Sequence, residues 1–196
     1  MLGAMIAAKP STDTRKAILK RAERYLQDAG FSSFSFRHLA ADLGIKSASV
    51  HYHFPSKEAL GVALLQRYQE SFERWAETRQ ESPSVKSDLL DWFKYYQRLA
   101  RSGDICPGGA FGAEYSALPE PLRDELARLE DRMRTWLRTK LKTGRKLGEI
   151  RAEGKVEDQA ELVLATLQGG TQVARVTGNP KAFDGVLQQL KVVLFV

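Results

Sequence analysis

Residues Phe36–Lys57 read FRHLAADLGIKSASVHYHFPSK, and they contain the pattern of two short helices joined at a glycine. Leu39, Ala40 and Leu43 recur at the spacing of one buried helical face, and Gly44 then permits the backbone angles of a tight turn. A second short helix follows the turn. The pattern predicts two helices that meet at a sharp angle, which is the arrangement that lets a second helix enter the major groove of DNA.

Polar residues dominate the outer side of this second helix. Ile45 and Val50 can fill the angle between the two helices, so the remaining side chains should face solvent. Hydrogen-bond donors of this kind suit phosphate oxygens and base edges. The outward donors are Lys46, Ser47, Ser49, His51, Tyr52 and Lys57.

The composition describes an ordinary globular chain. It has 196 residues, of which 43% are hydrophobic and 28% charged, so it can bury a core without stabilising cross-links. A single cysteine excludes an internal disulfide, and no apolar run approaches the roughly 20 residues that span a bilayer. The apolar N-terminal residues lack the leading basic region of a secretory signal. We therefore expect a cytoplasmic protein with no membrane segment.

Positive charge is concentrated near the predicted helix pair. The chain carries a net charge of +6, and residues 1–60 hold nine lysines and arginines against five acidic residues. The other 136 residues hold 21 basic and 19 acidic residues, and all three histidines lie in the first segment. This distribution favours a polyanionic partner for the N-terminal part of the chain.

Apolar residues recur at intervals of three and four along the whole chain, and no segment alternates as a strand does, so the sequence predicts an all-α fold. We expect a flexible N-terminal extension over residues 1–11, a three-helix, helix-turn-helix DNA-binding domain over residues 12–56, and a larger helical effector-binding and dimerisation domain over residues 57–196. Ser35, Ser47 and Ser56 are placed to cap the second, third and fourth helices.

The stretch from Gly30 to Leu60 resembles the N-terminal signature of the tetracycline-repressor (TetR) family of transcriptional regulators. The resemblance covers about residues 12–62 and includes Ser35–Ala40, Leu43–Ile45 and Ser49–Leu60. It implies a three-helix DNA-binding head, a divergent helical body that binds a ligand, and a homodimer that leaves its operator DNA when a small organic effector binds. We therefore expect a repressor that a small organic effector, or a thiol-reactive signal, releases from its operator.

The resemblance also implies roles for single residues. Ser35, Ser49, Tyr52 and Lys57 fall on positions that contact the DNA backbone in the family, and His51 replaces the tyrosine that is more usual at its position. We also expect Arg37 and Ser47 to contact DNA, because they are hydrogen-bond donors beside these positions. The full set of expected DNA contacts is Ser35, Arg37, Lys46, Ser47, Ala48, Ser49, His51, Tyr52 and Lys57, of which Lys46, Ala48 and His51 face base edges.

Two apolar stripes mark the last two predicted helices, about residues 156–177 and 180–195. They can pack only inside the chain, or they can pair with a second copy as a four-helix bundle, with Gly169 and Gly170 allowing close approach. A helix-turn-helix gains specificity when a second reading helix sits one DNA turn away, so we favour a homodimer. The expected interface residues are Leu164, Leu167, Thr171, Ala174, Phe183, Leu187 and Leu190.

Aromatic residues crowd the middle of the chain, where an apolar cavity edged with tyrosine hydroxyls would suit a small organic effector. Cys106 begins a predicted short helix, so its thiolate could report reactive compounds, or it could be a buried small hydrophobe. The expected pocket residues are Phe72, Trp75, Trp92, Tyr96, Cys106, Phe111, Tyr115 and Trp136.

Two other classes of function compete with a ligand-responsive regulator. An enzyme is disfavoured because the chain has no Ser/His/Asp set, no metal-ligand spacing and no phosphate-binding glycine loop, so we expect no metal and no cofactor. A DNA-bound protein-interaction factor would use the same head with a body that binds another protein. That alternative predicts an exposed apolar groove in place of a cavity.

Overall fold

The computed structural model describes residues 12–196, so the extension expected over residues 1–11 lies outside the described part. The described chain is all-α, as predicted, and its strand-like pairing is limited to one isolated bridge between Ile150 and Phe195. No helix within residues 12–196 is long and apolar enough to cross a lipid bilayer. The helices are α1 (Thr12–Ala29), α2 (Phe36–Leu43), α3 (Ser47–His53), α4 (Lys57–Glu77), α5 (Val85–Ser102), α6 (Pro107–Ala113), α7 (Glu120–Lys146), α8 (Val156–Thr177) and α9 (Pro180–Leu194).

Helices α1 to α3 form the head. Ile18 and Leu26 of α1 meet Phe34, Leu39 and Val50 in its core, and each of these side chains is at most 2% exposed. Gly44 lies between α2 and α3 with a φ of 63°, and its N–H donates to the carbonyls that end α2. Because this left-handed angle is costly for a side-chain-bearing residue, the glycine fixes the sharp turn predicted from the sequence.

Two of the three predicted serine caps are confirmed. Ser35 Oγ accepts from the N–H of His38 at 3.4 Å, and Ser56 Oγ accepts from the N–H of Ala59 at 3.0 Å. The cap predicted at Ser47 is wrong, because the extended residue before α3 is Lys46 and Ser47 is already helical. The Ser47 hydroxyl therefore remains free of a capping role.

The body is built from α4 to α9. Helix α4 leaves the head and packs along α7, while α5 and α8 pack against each other and against α9. Lys140 of α7 and Asp88 of α5 form a buried ion pair at 2.7 Å, and Lys140 also donates to the carbonyl of Arg79 after α4. These contacts fix the three helices that surround the middle of the body.

The head is fastened to the body at several points around α6. Phe31 of the head packs on Phe111 of α6 with ring centroids 5.1 Å apart. The N–H of Ser32 donates to the Glu114 carboxylate at 3.0 Å, directly after α6. Arg24 of α1 pairs with Asp104, two residues before the Cys106 cap, at 3.3 Å. The segment that contains α6 is therefore one bridge between head and body, and Arg175 of α8 forms another by donating to the carbonyls of Gln27 and Asp28.

The close approach of α4 to the head and to α7 can be tested at Gly61. A Cβ at this position would lie 2.6 Å from Leu122 and 2.8 Å from the Phe31 ring, so Gly61→Ala overpacks the junction. We expect a net loss of about 1 to 2 kcal/mol after the better helix propensity of alanine is included. Urea unfolding measures this loss.

Gly112→Ala is the matched control, because Gly112 also lies in a helix but a Cβ there meets nothing within 4 Å. This variant should be unchanged or stabilised by up to about 1 kcal/mol. Equal effects of the two substitutions would contradict the packing argument.

Candidate DNA interface and effector cavity

The outer face of α3 is open. Lys46, Ser47, Ala48, His51 and Tyr52 are exposed, and Tyr52 reaches 66%. Val50, on the opposite side of α3, is fully buried and holds the helix on the head. The predicted DNA contacts on α3 and at Lys46 therefore share one solvent-facing surface, which also includes the half-buried Ser49. Arg37 at the start of α2 is exposed as well, and Ser35 beside it is half-buried.

The single acidic residue of the Phe36–Lys57 stretch is held by two partners within the head. Asp42 accepts hydrogen bonds from the Tyr25 hydroxyl at 2.6 Å and from Arg21 Nε at 2.7 Å. These two hydrogen bonds, first that from Tyr25 and then that from Arg21, hold the pKa of Asp42 below its usual value. The head thus keeps its one local carboxylate paired within α1 and α2, and the exposed face of α3 carries only neutral and basic groups.

Lys57 is placed differently from the other predicted DNA contacts. Its Nζ lies 4.8 Å and 4.7 Å from the ring centroids of Phe31 and Phe34, over the aromatic core of the head. Burial lowers the pKa of Lys57, and the opposing effect of the Glu114 carboxylate is smaller. In this conformation the ammonium group packs on aromatic rings of the head, and a DNA contact would require the side chain to adopt another rotamer.

A cavity of about 190 Å³ lies among α4, α5, α6 and α7. Five of the eight predicted pocket residues line it, namely Phe72, Trp75, Trp92, Tyr96 and Cys106. The hydrophobic pattern did not predict the other lining residues, because it cannot distinguish a helix face that lines a cavity from one that lies in the core. These additional lining residues are Tyr68, Ser71, Tyr95, Pro107, Gly108, Leu129 and Met133.

Three predicted pocket residues do not line this cavity. Phe111 is fully buried against Phe31 at the junction with the head. Tyr115 is 50% exposed, with the Arg123 guanidinium 6.0 Å from its ring centroid. Trp136 packs behind the cavity wall, with its ring 4.9 Å from that of Trp75 and 5.3 Å from that of Trp92. Sequence proximity to the aromatic cluster could not separate these three positions from the true wall.

Cys106 caps α6 and is buried. Its Sγ accepts from the N–H of Gly109 at 3.2 Å, but only 3% of the residue is exposed. Burial raises the pKa of Cys106 to about 12, which outweighs the lowering effect of that hydrogen bond. The arrangement favours the interpretation of Cys106 as a buried thiol over that of a reactive thiolate.

The reactivity of Cys106 should therefore be low in the folded protein. With its pKa at about 12, the thiolate population at neutral pH is about a thousandth of that of an ordinary cysteine, so alkylation by iodoacetamide should slow by a similar factor. Comparing the alkylation rate of native protein with that in urea measures this. A native rate within tenfold of the unfolded rate would show an accessible, activated thiol.

The predicted dimer residues lie inside the protomer. All seven, from Leu164 to Leu190, are at most 4% exposed, because α8 and α9 turn these stripes toward each other and toward α5. Gly170 belongs to this internal contact, since the Phe183 ring fills the space of its missing Cβ. Because these side chains are buried within the protomer, their contact with a second copy stays a prediction, and an interface on these two helices would need exposed residues as well.

A different apolar face of the same two helices is uncovered. The exposed apolar residues of α8 recur at helical spacing, and the space above Gly169 is open. Helix α9 adds further exposed apolar residues. We call this surface the α8–α9 face, and its residues are Leu162, Ala165, Gly169, Val173, Val176, Ala182, Val186 and Val193.

No group of three or more His, Cys, Asp or Glu side chains within residues 12–196 is arranged to hold a metal ion. The chemistry that the described residues offer is therefore a basic and polar surface on the head and an apolar cavity in the body.

Two families of sequence match the chain. Residues 18–64 match the family described as "Bacterial regulatory proteins, tetR family", and residues 82–190 match "Tetracyclin repressor-like, C-terminal domain". The first match contains the helix-turn-helix of the head, and the second contains α5, α6 and α7 of the cavity wall, α8 and most of α9.

Known proteins agree with these matches. The chain is 24% identical to the HTH-type transcriptional repressor DhaR of Mycobacterium sp. (strain GP1), over 90% of this chain and 89% of that protein. It is 24% identical to the HTH-type transcriptional repressor NemR of Escherichia coli (strain K12), over 91% and 92% of the two chains.

A TetR-family transcriptional regulator from Agrobacterium tumefaciens has the same fold, with a TM-score of 0.87 and 25% identity over 93% of this chain and 97% of that one. Since the match to the C-terminal family alone spans more than half of the sequence, the chain belongs to the TetR family of bacterial transcriptional regulators, which are DNA-binding proteins and not enzymes.

Proposed function

We propose that this regulator is a cytoplasmic repressor that binds operator DNA as a homodimer and leaves it when a small organic effector enters the cavity. In this proposal residues 12–56 read DNA, and residues 57–196 bind the effector and form the dimer. The observation that carries it is the position of α6, whose first turn lines the cavity and whose far end is fastened to the head.

The connection between the two ends of α6 is short. Cys106, Pro107 and Gly108 line the cavity, whereas Phe111 and Glu114, only a few residues later, contact Phe31 and Ser32 of the head. An effector that pushes on the first turn of α6 must therefore shift the contacts that orient the head. Such a shift changes the separation of two reading helices in a dimer, which a rigid DNA duplex does not tolerate.

The α8–α9 face supports the homodimer. Val173, Val176 and Val193 are 60%, 87% and 53% exposed, which is unusual for so many apolar side chains on one surface. A second copy of the same two helices would cover them in a four-helix bundle. The interface would then use this face, and the buried stripe named from the sequence would support it from behind.

The alternative of a DNA-bound protein-interaction factor predicted an exposed apolar groove and no cavity. A cavity that lies among four helices and has aromatic rings in its wall supports the effector interpretation instead. A small-molecule site of this kind has no evident use in a protein that only bridges DNA to another protein.

The proposal is tested in two steps. Selection from a pool of random duplexes should yield a palindromic sequence whose half-sites lie about one or more helical turns apart. Fluorescence anisotropy on that operator should then detect release by a small organic compound. A selected sequence without two-fold symmetry would contradict the homodimer, and a compound that binds the cavity without release would contradict the effector role.

A further inference from the structure

We infer that the cavity takes an uncharged molecule with a single aromatic ring and one hydrogen-bond acceptor, such as an aryl ketone. The inference rests on the proposed function, because the same cavity is taken as the effector site. Four properties of the cavity carry it, namely its volume, its aromatic walls, its lack of charged lining residues and its uncharged hydrogen-bond donors.

The volume limits the occupant to one ring. An engineered protein cavity of about 150 Å³ holds benzene, and this cavity measures about 190 Å³. The difference leaves room for two or three further heavy atoms, which is about the size of an acetyl substituent. A fused pair of rings would exceed the space and would need the helices to move apart.

The walls favour an aromatic ring over an aliphatic chain. The rings of Phe72, Trp75 and Trp92 have centroids 5.9 to 6.4 Å apart at interplanar angles of 31° to 46°. These separations lie in the range of favourable offset contacts between aromatic rings, each worth about 0.5 to 1.5 kcal/mol beyond its buried area. The ring of a planar ligand can make the same kind of offset contact with these three rings.

Charged ligands are disfavoured. None of the residues that line the cavity is a lysine, arginine, histidine, aspartate or glutamate. The Glu130 carboxylate lies behind Gly108 and accepts from Gln168 Nε2 at 2.8 Å, and burial raises its pKa. An anion placed in the cavity would lose its hydration without gaining a cationic partner, and would also face this carboxylate.

The polar groups of the cavity wall are the hydroxyls of Tyr68, Ser71, Tyr95 and Tyr96 and the thiol of Cys106. Tyr96 and Cys106 both line the cavity, and burial raises the pKa of both groups, so both keep their protons. Protonated hydroxyl and thiol groups offer hydrogen to a ligand. The complementary ligand therefore brings an oxygen acceptor, such as a carbonyl or hydroxyl, at one end of its ring.

Tryptophan fluorescence of the full-length protein provides the test. The chain has three tryptophans, of which Trp75 and Trp92 line the cavity and Trp136 contacts both, so all three report on an occupant. We expect saturable quenching by acetophenone. Benzoate has the same shape with a negative charge and should bind at least tenfold more weakly, and 2-acetylnaphthalene should fail to bind because of its second ring.

Two variants locate the site. Tyr96→Phe removes one donor and should weaken acetophenone binding about three- to tenfold, which is the effect of one neutral hydrogen bond. Tyr115→Phe is the matched control outside the cavity and should leave binding unchanged. Equal or tighter binding of benzoate or of the two-ring ketone, absence of acetophenone binding, or indifference to Tyr96→Phe would each overturn the inference.

Operator release is measured on the same samples by anisotropy, which separates the two proposals. Acetophenone binding without release would contradict the repressor mechanism and leave the assignment of ligand class intact. Release by benzoate with no effect of acetophenone would overturn the ligand class and leave the repressor mechanism intact.

Discussion

Val173→Asp is expected to convert the protein into a monomer at micromolar concentration. Val173 lies in the α8–α9 face and is 60% exposed in the protomer, so the substitution costs little in the isolated chain. In a symmetric dimer the carboxylate would be buried twice, at about 2 kcal/mol or more for each copy. Together these penalties raise the dimer dissociation constant about a thousandfold. Analytical ultracentrifugation over a concentration series measures it.

Operator affinity should fall as the dimer dissociates, because a monomer presents only one reading helix and makes about half of the contacts. The loss should exceed a hundredfold at low protein concentration and diminish as the concentration approaches the new dissociation constant. Leu147→Asp is the matched control, since Leu147 is 54% exposed but lies at the end of α7, outside the α8–α9 face. A Val173→Asp protein that remains dimeric would exclude this face as the interface.

The sequence was sufficient to predict local structure where one residue determines the backbone geometry. Gly44 fixed the turn before α3, and Ser35 and Ser56 marked two helix starts, because each acts on backbone groups within three or four residues. Ser47 failed as a cap for the same local reason, since the extended residue falls one position earlier, and a one-residue shift leaves no trace in the hydrophobic pattern.

The sequence was insufficient where the answer depends on which of two apolar faces a helix turns outward. Helix α8 has an inner face that contains Leu167 and an outer face that contains Val173, and both show helical spacing. Packing by α5 and α9 decides which face is buried, and those contacts are not local. The cavity posed the same difficulty, because Phe111 and Phe72 are equally aromatic and only the tertiary fold separates core from wall.

Ala48→Glu should abolish high-affinity operator binding while leaving the protein folded. Ala48 is exposed at the second position of α3, where the family resemblance places a residue that faces base edges. A carboxylate there would lie close to the phosphates that border the major groove, once in each protomer. Repulsion of about 1.5 to 2 kcal/mol for each copy predicts binding that is weaker by a factor of about 100 to 1,000. Fluorescence anisotropy on the selected operator measures the change.

The loss would be specific to the DNA surface, since an acidic residue in the first turn of a helix interacts favourably with the helix dipole. Circular dichroism and thermal unfolding should therefore match those of the parent protein. Ala48→Gln separates charge from size and should lose no more than about tenfold, because it brings a similar volume without repulsion. Ala127→Glu adds the same charge to an exposed site on α7 and should bind normally. Normal operator binding by Ala48→Glu would remove α3 from the DNA interface, because no side chain of that length on its exposed face could avoid the duplex.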